Sequence, residues 1–369
     1  MMLEWKKLGE IAVVSNGERP VSEILEKGMF PYINAGRSNS GYLNEFNSKS
    51  GAITTPSHGE GGIGCVLFQN HDFWCGALCY KMYAIEGVEG RYLFHYLSNN
   101  TEKILDCKNV GGQPYINRKQ LEGIIIGVPS LSEQTRSGGI LDTFTASIEN
   151  LKQQIAERRK QYEYYRDQLL DLEGKEGVEM RMLGEVCVIK NGYTPSTKNP
   201  EFWENGTLPW FTLEDIRKNG RILRDAIKHI TPLGVKKGGL FPKNSIIVST
   251  TATIGEYALI NTDFLCNQQI TCLSIKGTYK EQILSKYLYY LADGVGKWCK
   301  KNVNGGGSLL IVSASKLHNL TIPIPCLQEQ SRIVSILDTF EASIANLESQ
   351  LKGREKQYEY YRNKLLTFE

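Results

Sequence analysis

The sequence predicts an α+β chain of mixed helix and strand content, built as a tandem duplication. Two globular domains are separated by two long helices, paired as an antiparallel coiled coil about a pseudo-twofold axis. Three observations carry this prediction. Residues 140–173 align without gaps on residues 336–369 with 22 identities, including the heptapeptide KQYEYYR at 160–166 and 356–362. Both copies keep apolar residues at alternating spacings of three and four over more than four heptads, the mark of a coiled-coil seam. The stretches outside them alternate short β-branched or aromatic runs with Gly, Pro, Asn and Ser, the pattern of strands and turns.

The duplication extends upstream. PSLSEQTR (129–136) lies over PCLQEQSR (325–332) at the same offset, and LGEIAVVSNGERP (8–20) over LGEVCVIKNGYTP (183–195) at a smaller one, so the second half carries about 21 more residues in its globular part. The expected domains are therefore 1–131, a helix over 132–175, a second domain over 176–327 and a second helix over 328–369. Strands in the first domain come from GAITTPSHGEGGIGCVLF, FWCGALCYKMYAI and EGIIIGVP, with one late helix in GRYLFHYLSNNTEKI. In the second they come from SIIVSTTATIGEYALI, FLCNQQITCLSI and LTIPIP, with a helix in KEQILSKYLYYLADGVGKW.

The first seam runs Leu141, Phe144, Ile148, Leu151, Ile155, Arg158, Tyr162, Tyr165, Leu169 and Leu172. The second runs Leu337, Phe340, Ile344, Leu347, Leu351, Arg354, Tyr358, Tyr361, Leu365 and Phe368. Ser132 and Glu133, and in the second copy Gln328 and Glu329, follow a proline and suit helix starts. A domain of some 150 residues between the two helices favours antiparallel pairing, which places Arg158 near Leu351 and Arg354 near Ile155 as polar seam residues that fix register. A 34-residue helix spans about 51 Å, roughly 15 base pairs of B-DNA.

Composition is that of ordinary globular domains: 369 residues, 41% hydrophobic, 22% charged and 10% aromatic, more than one core can hold. No apolar run approaches a membrane span, and no signal-peptide pattern opens the chain, so a soluble cytoplasmic protein with no membrane partner is expected. The nine cysteines have no framework spacing and read as reduced thiols. His71, Cys75 and Cys79 recur every four residues but lack a CxxC or a second pair, so they read as core residues and no metal site is expected. The net charge of +3 is uneven: residues 176–335 hold 19 Lys and Arg against 13 Asp and Glu, while every other segment is near −1. That segment alone has the composition of a nucleic-acid binder.

LGE with NG and a following proline near the start of each half, GGIGC or TIGEY after a strand, CNQQI, the glycine-rich loops KNVGGQPYIN and KNVNGGGSLL, and EQ leading into a helix that ends YYR..LL occur in one order, twice. In that order the chain resembles the specificity subunit of type I restriction-modification systems, over essentially its whole length. The resemblance implies two target recognition domains, each reading half of a bipartite double-stranded DNA site, and two spacer helices that set half-site separation. It also implies two docked methyltransferase subunits and, through them, restriction or translocase subunits. EFWENGTLPWFTLEDI (201–216) approximates a segment frequent in such domains, and the first half has no counterpart. The two domains are thus expected to read different sequences.

Candidate DNA contacts are basic or amide residues in loops, where Lys and Arg neutralise phosphates and Arg, Asn and Gln pair with base edges. In the first domain they are Arg37, Lys108, Asn109, Gln113, Arg118 and Lys119. In the second they are Arg217, Lys218, Arg221, Arg224, Lys236, Lys237, Lys297, Lys300, Lys301 and Asn304. Tyr162 and Tyr165 lie on the seam and read as packing residues, whereas Tyr164 lies off it beside Arg166. Tyr164 with Arg166, and Tyr360 with Arg362, form two like patches for two copies of one partner.

No catalytic residue is expected. KNPEF (198–202) resembles the Asn-Pro-Pro-aromatic motif of adenine methyltransferases, but Glu201 stands at its third position and no S-adenosylmethionine fingerprint opens a βα unit. Walker A, HExxH and GxSxG patterns are absent. No cofactor is expected on this chain, and S-adenosylmethionine is expected in the methyltransferase partner. The competing readings are an enzyme carrying its own methyltransferase or nuclease site, and a coiled-coil scaffold that never touches DNA.

Overall fold

The computed structural model describes residues 3–59, 61–109, 113–304 and 310–368. Parts of both glycine-rich loops, 110–112 and 305–309, lie outside the described residues. Two long helices run Leu131–Leu170 and Leu327–Leu366. The chain divides into two compact units that cut across its linear duplication: Met1–Ile155 with Asn346–Glu369, and Ala156–Ala345. Each unit holds one body, the beginning of one long helix and the end of the other, which is antiparallel pairing.

The first unit is built on an antiparallel sheet in the order Ala12–Asn16, Cys79–Ala84, Ile53–Pro56, Leu67–Phe68. A small second sheet sets Phe30–Ile33 between Tyr42–Leu43 and Trp74–Cys75, and Glu4–Lys7 pairs with Ile125–Val128. The second unit repeats the plan. Its sheet runs Cys187–Asn191, Ile270–Ile275, Ser245–Ser249, Tyr257–Ile260, Ile222–Leu223, with a small sheet around Leu208–Phe211 and a ribbon of Glu179–Met182 with Thr321–Ile324. Every residue of Ser245–Ser249 is buried because both faces are covered. Ile246 and Val248 pack on the helix Ser285–Lys301, and Ile247 packs with Phe211 and Phe264 behind the sheet, as the two-residue period of a strand requires.

The repeated motifs have local causes. In LGE the leucine is buried and the glutamate caps its own short helix, Glu10 accepting from the Lys7 amide at 2.8 Å and Glu185 from the Met182 amide at 3.1 Å. The glycine of NG permits close backbone approach: a Cβ at Gly17 would lie 2.3 Å from the Cys75 carbonyl oxygen, and one at Gly192 would lie 2.1 Å from that of Cys266.

The EQ motif is the latch that starts each long helix. Buried Gln134 accepts from the Glu89 amide and donates to the Pro129 carbonyl, both at 2.9 Å. Gln330 does the same with Leu284 at 2.9 Å and Pro325 at 2.8 Å. About two turns on, an aspartate ties the helix to its body. Asp142 accepts from Arg91 Nε at 2.7 Å and shares a 2.7 Å hydrogen bond with His95, while Asp338 pairs with Lys286 at 2.6 Å and accepts from the Tyr290 hydroxyl. Burial pushes the His95 imidazole below its ordinary pKa despite Asp142.

Within the first unit Phe144 stacks on Tyr361 at 5.3 Å and lies 6.5 Å from Tyr358. Within the second, Phe340 stacks on Tyr165 at 5.5 Å and lies 6.4 Å from Tyr162. The neighbour that the structure gives each polar seam residue is aromatic: Arg354 lies over Phe144 at 5.6 Å and Arg158 over Phe340 at 5.8 Å. The heptad phase is as the sequence predicts. The seam rings are wetter than it predicts, since Tyr165 and Tyr361 remain exposed on one face.

Candidate nucleic-acid interface

In both units one junction carries the segments on which several candidate residues lie. In the first, Asn109 pairs with Tyr115 across a short antiparallel ribbon, and Tyr115 also bridges His58 in the turn after Ile53–Pro56. The Ile116 amide donates to the Ser57 carbonyl at 2.8 Å and the Gly59 amide to the Pro114 carbonyl at 3.2 Å. In the second, Asn304 and Thr251 both bridge Ile311. The Val312 amide donates to Thr250 at 2.9 Å and the Ala252 amide to Leu310 at 3.3 Å. Gly59 and Ala252 hold the same place, both with positive φ, of 92° and 63°. The junction thus gathers Lys108, Asn109 and Gln113 in one unit. In the other it gathers Asn304 and the end of the helix Ser285–Lys301, with Lys300 and Lys301.

The other candidates sort by the partners they already have. Arg37 donates to the Gly61 carbonyl at 2.8 Å, and Arg118 binds Glu122 at 2.7 Å and the Val14 carbonyl. Arg217 pairs with Glu256 at 3.0 Å, Lys218 with Glu214 at 2.6 Å, and Arg221 donates to the Tyr257 hydroxyl at 2.7 Å while lying over its ring. Lys236 lies over the Tyr193 ring at 4.5 Å. Lys297 pairs with Asp293 at 3.0 Å and Asp167 at 3.4 Å. Lys119, Arg224 and Lys237 are exposed, and like Lys108, Asn109, Gln113, Lys300, Lys301 and Asn304 their side chains bind no other group among the described residues. Charges of the second kind are available to phosphates without breaking an internal pair.

Asn199 of the KNPEF segment is spent on structure: its side chain accepts from the Glu201 amide at 3.2 Å and caps the 3-10 turn Pro200–Phe202. Cys75 and Cys79 are buried, the Cys79 thiol facing the Thr55 carbonyl at 3.4 Å, while His71 is exposed.

The tyrosine patches need one correction. Tyr164 and Tyr360 face outward, 59% and 60% exposed, but Arg166 does not join its neighbour there. Its side chain is 7% exposed and pairs with Asp167 at 2.8 Å and Asp293 at 3.2 Å. Burial alone would lower its pKa, and the two carboxylates reverse that. Charge at a helix surface cannot be told from charge turned inward by sequence spacing, because the acceptor Asp293 lies 127 residues away. Arg362, half-buried over the Tyr358 ring at 5.6 Å, has Asn363 and Ser98 where Arg166 has Asp167 and Asp293. Arg362 Nε and Ser98 Oγ are both buried without a hydrogen-bond partner among the described residues.

Asp293→Ser is therefore expected to destabilise the second unit by about 2 kcal/mol, since it leaves a buried guanidinium with only the exposed Asp167. Ser98→Asp is expected to stabilise the first by about 1 kcal/mol. Chemical denaturation of the full chain measures both, and equal midpoints for the variants and the parent would contradict the assignment.

Comparison with known proteins places these features in a family. The model of the type I restriction modification DNA specificity domain matches twice, over residues 2–158 and 175–354. The chain is 44% identical over 215 residues to the EcoprrI type I restriction enzyme specificity subunit of Escherichia coli, covering 55% of this chain and 53% of that one. It is 39% identical over 255 residues to the EcoR124I/EcoR124II specificity subunit of the same organism, covering 65% and 60%. The matched region thus spans about half to three fifths of these relatives' length. A putative type I restriction enzyme specificity subunit of Haemophilus influenzae is 28% identical over 387 aligned positions, covering 99% and 96%. Among solved structures, the S subunit of a type I restriction-modification system from M. genitalium matches the fold with a TM-score of 0.70 at 17% identity, covering 100% of this chain and 97% of that one.

Proposed function

The chain belongs to the type I restriction modification DNA specificity family, and on that premise we propose that it is a non-catalytic subunit that directs DNA methylation to an asymmetric bipartite site. Each unit reads one half-site in double-stranded DNA. The two long helices dock two methyltransferase subunits, which bring S-adenosylmethionine and, in a restricting complex, the restriction or translocase subunits. The helices also set the distance between half-sites.

One observation carries this reading: two units with the same backbone plan and near-identical helix ends differ in the side chains they expose. Like ends suit like partners, and unlike surfaces suit unlike DNA sequences. The reading is tested by incubating the purified chain with labelled S-adenosylmethionine and DNA. No methyl transfer is expected from the chain alone, and transfer confined to one bipartite motif is expected once the methyltransferase is added. Transfer by the chain alone would make it an enzyme in its own right.

A further inference from the structure

We propose that the junction beside each glycine-rich loop is the base-reading surface of its unit, and that two positions in it, His58 and Tyr115 in one unit and Thr251 and Ile311 in the other, set which base pairs are accepted. The inference rests on the DNA-recognition reading and narrows it to named side chains.

The argument begins with what the two junctions share. The same pair of backbone hydrogen bonds ties the turn after the central strand to the arm after the loop in both units. Both keep asparagine at the ribbon position, Asn109 and Asn304. Both hold a positive φ in the turn, although the second unit has alanine there, which strains an L residue. A frame kept against strain has a use beyond packing.

What differs is the side chains the frame presents. Positions kept for packing stay alike between the units, as Leu8 and Leu183 or Gln134 and Gln330 do. At the junction an imidazole and a phenol in one unit are replaced by a threonine and an isoleucine in the other. Tyr115 is 38% exposed and Ile311 40%, so neither is held by a core. Beside them stand cations with no partner among the described residues, Lys108 in one unit and Lys300 and Lys301 in the other, suited to phosphates that flank a read base.

The chemistry separates the two half-sites. His58 stacks on Tyr115 at 5.8 Å with the rings 22° apart, and its Nδ1 shares a 2.9 Å hydrogen bond with Ser57 Oγ, which leaves Nε2 and the Tyr115 hydroxyl for hydrogen bonds. Such a pair suits the polar edge of a purine. Thr251 and Ile311 offer methyl groups, which suit the C5 methyl of thymine.

The test uses the full-length chain co-purified with its methyltransferase, and selection from a library of randomised DNA duplexes. The parent chain is expected to select two half-motifs; if it selects none, the DNA-recognition reading itself fails. His58→Thr combined with Tyr115→Ile is expected to alter one half-motif at one or two base pairs, with preference for the parental bases falling about tenfold or more. The other half-motif should persist, which also shows that the variant folds. The milder pair His58→Gln and Tyr115→Phe should weaken the same positions if the first pair disturbs folding. The proposal is overturned if either folded pair selects the parental half-motif unchanged, or if both pairs lose all positions of the site uniformly.

Discussion

Tyr164→Ala is expected to cost the proposed complex one methyltransferase subunit, Tyr360→Ala a second, and the double variant both. The two rings occupy equivalent places on the repeated heptapeptide and are more than half exposed, each edge-on to its neighbouring tyrosine at 5.4 and 5.3 Å. The hydroxyl of Tyr164 takes a 2.9 Å hydrogen bond from Gln168, a residue on the same helix, so the ring is held without entering the core. Held, exposed and aromatic is the character of an interface anchor, and truncation of such an anchor costs about 2 kcal/mol or more of binding, roughly 30-fold. Fold stability should not change, because neither side chain is buried. Native mass spectrometry of the complex reads the stoichiometry directly. A double variant that still holds two methyltransferase subunits would place the docking surface elsewhere.

Insertion of one heptad into each long helix is expected to widen the gap between half-sites by about 3 base pairs. Seven residues add about 10.5 Å of helix at ~1.5 Å each, and B-DNA rises ~3.4 Å per base pair. Seven is the right increment because it preserves the seam phase on both sides of the insertion, so Phe144 and Phe340 keep their tyrosine partners. An insertion of four or three residues would rotate one end against the other and is expected to abolish methylation instead. Methylome sequencing of a host expressing the variant with its methyltransferase gives the new gap. A motif with the parental gap would show that the helices do not measure distance.

Much of the architecture was legible in the residues because duplication supplies its own control. The heptad spacing located the seam, and the repeated LGE, NG and EQ motifs marked positions that proved to be a cap, a close backbone approach and a latch. What could not be read was anything decided by partners distant in the chain. Arg166 sits on the helix beside Tyr164, and only the fold brings Asp293 to it. The same holds for the candidate DNA contacts. The sequence reads Arg217 and Lys119 alike as basic loop residues, yet both stand on short helices, one paired with Glu256 and the other open. The junction of His58 with Tyr115 is not legible in the sequence, because neither residue carries a fixed charge and strands joined by isolated bridges leave no periodic trace.

The division of the chain into units also orders events at the ribosome. The core of the first body includes Leu366, with Leu365 and Phe368 packed against it, and Phe368 meets Trp5 at 6.3 Å. The body translated first is therefore completed by residues of the second long helix, made after the second body, whereas the body translated second has all its pieces once residue 345 is made. A chain truncated before Leu365 would keep every residue of its second unit and lose these closing contacts of its first. The first body thus closes only after the second has been made, and the long helices are what bring its two separated stretches together.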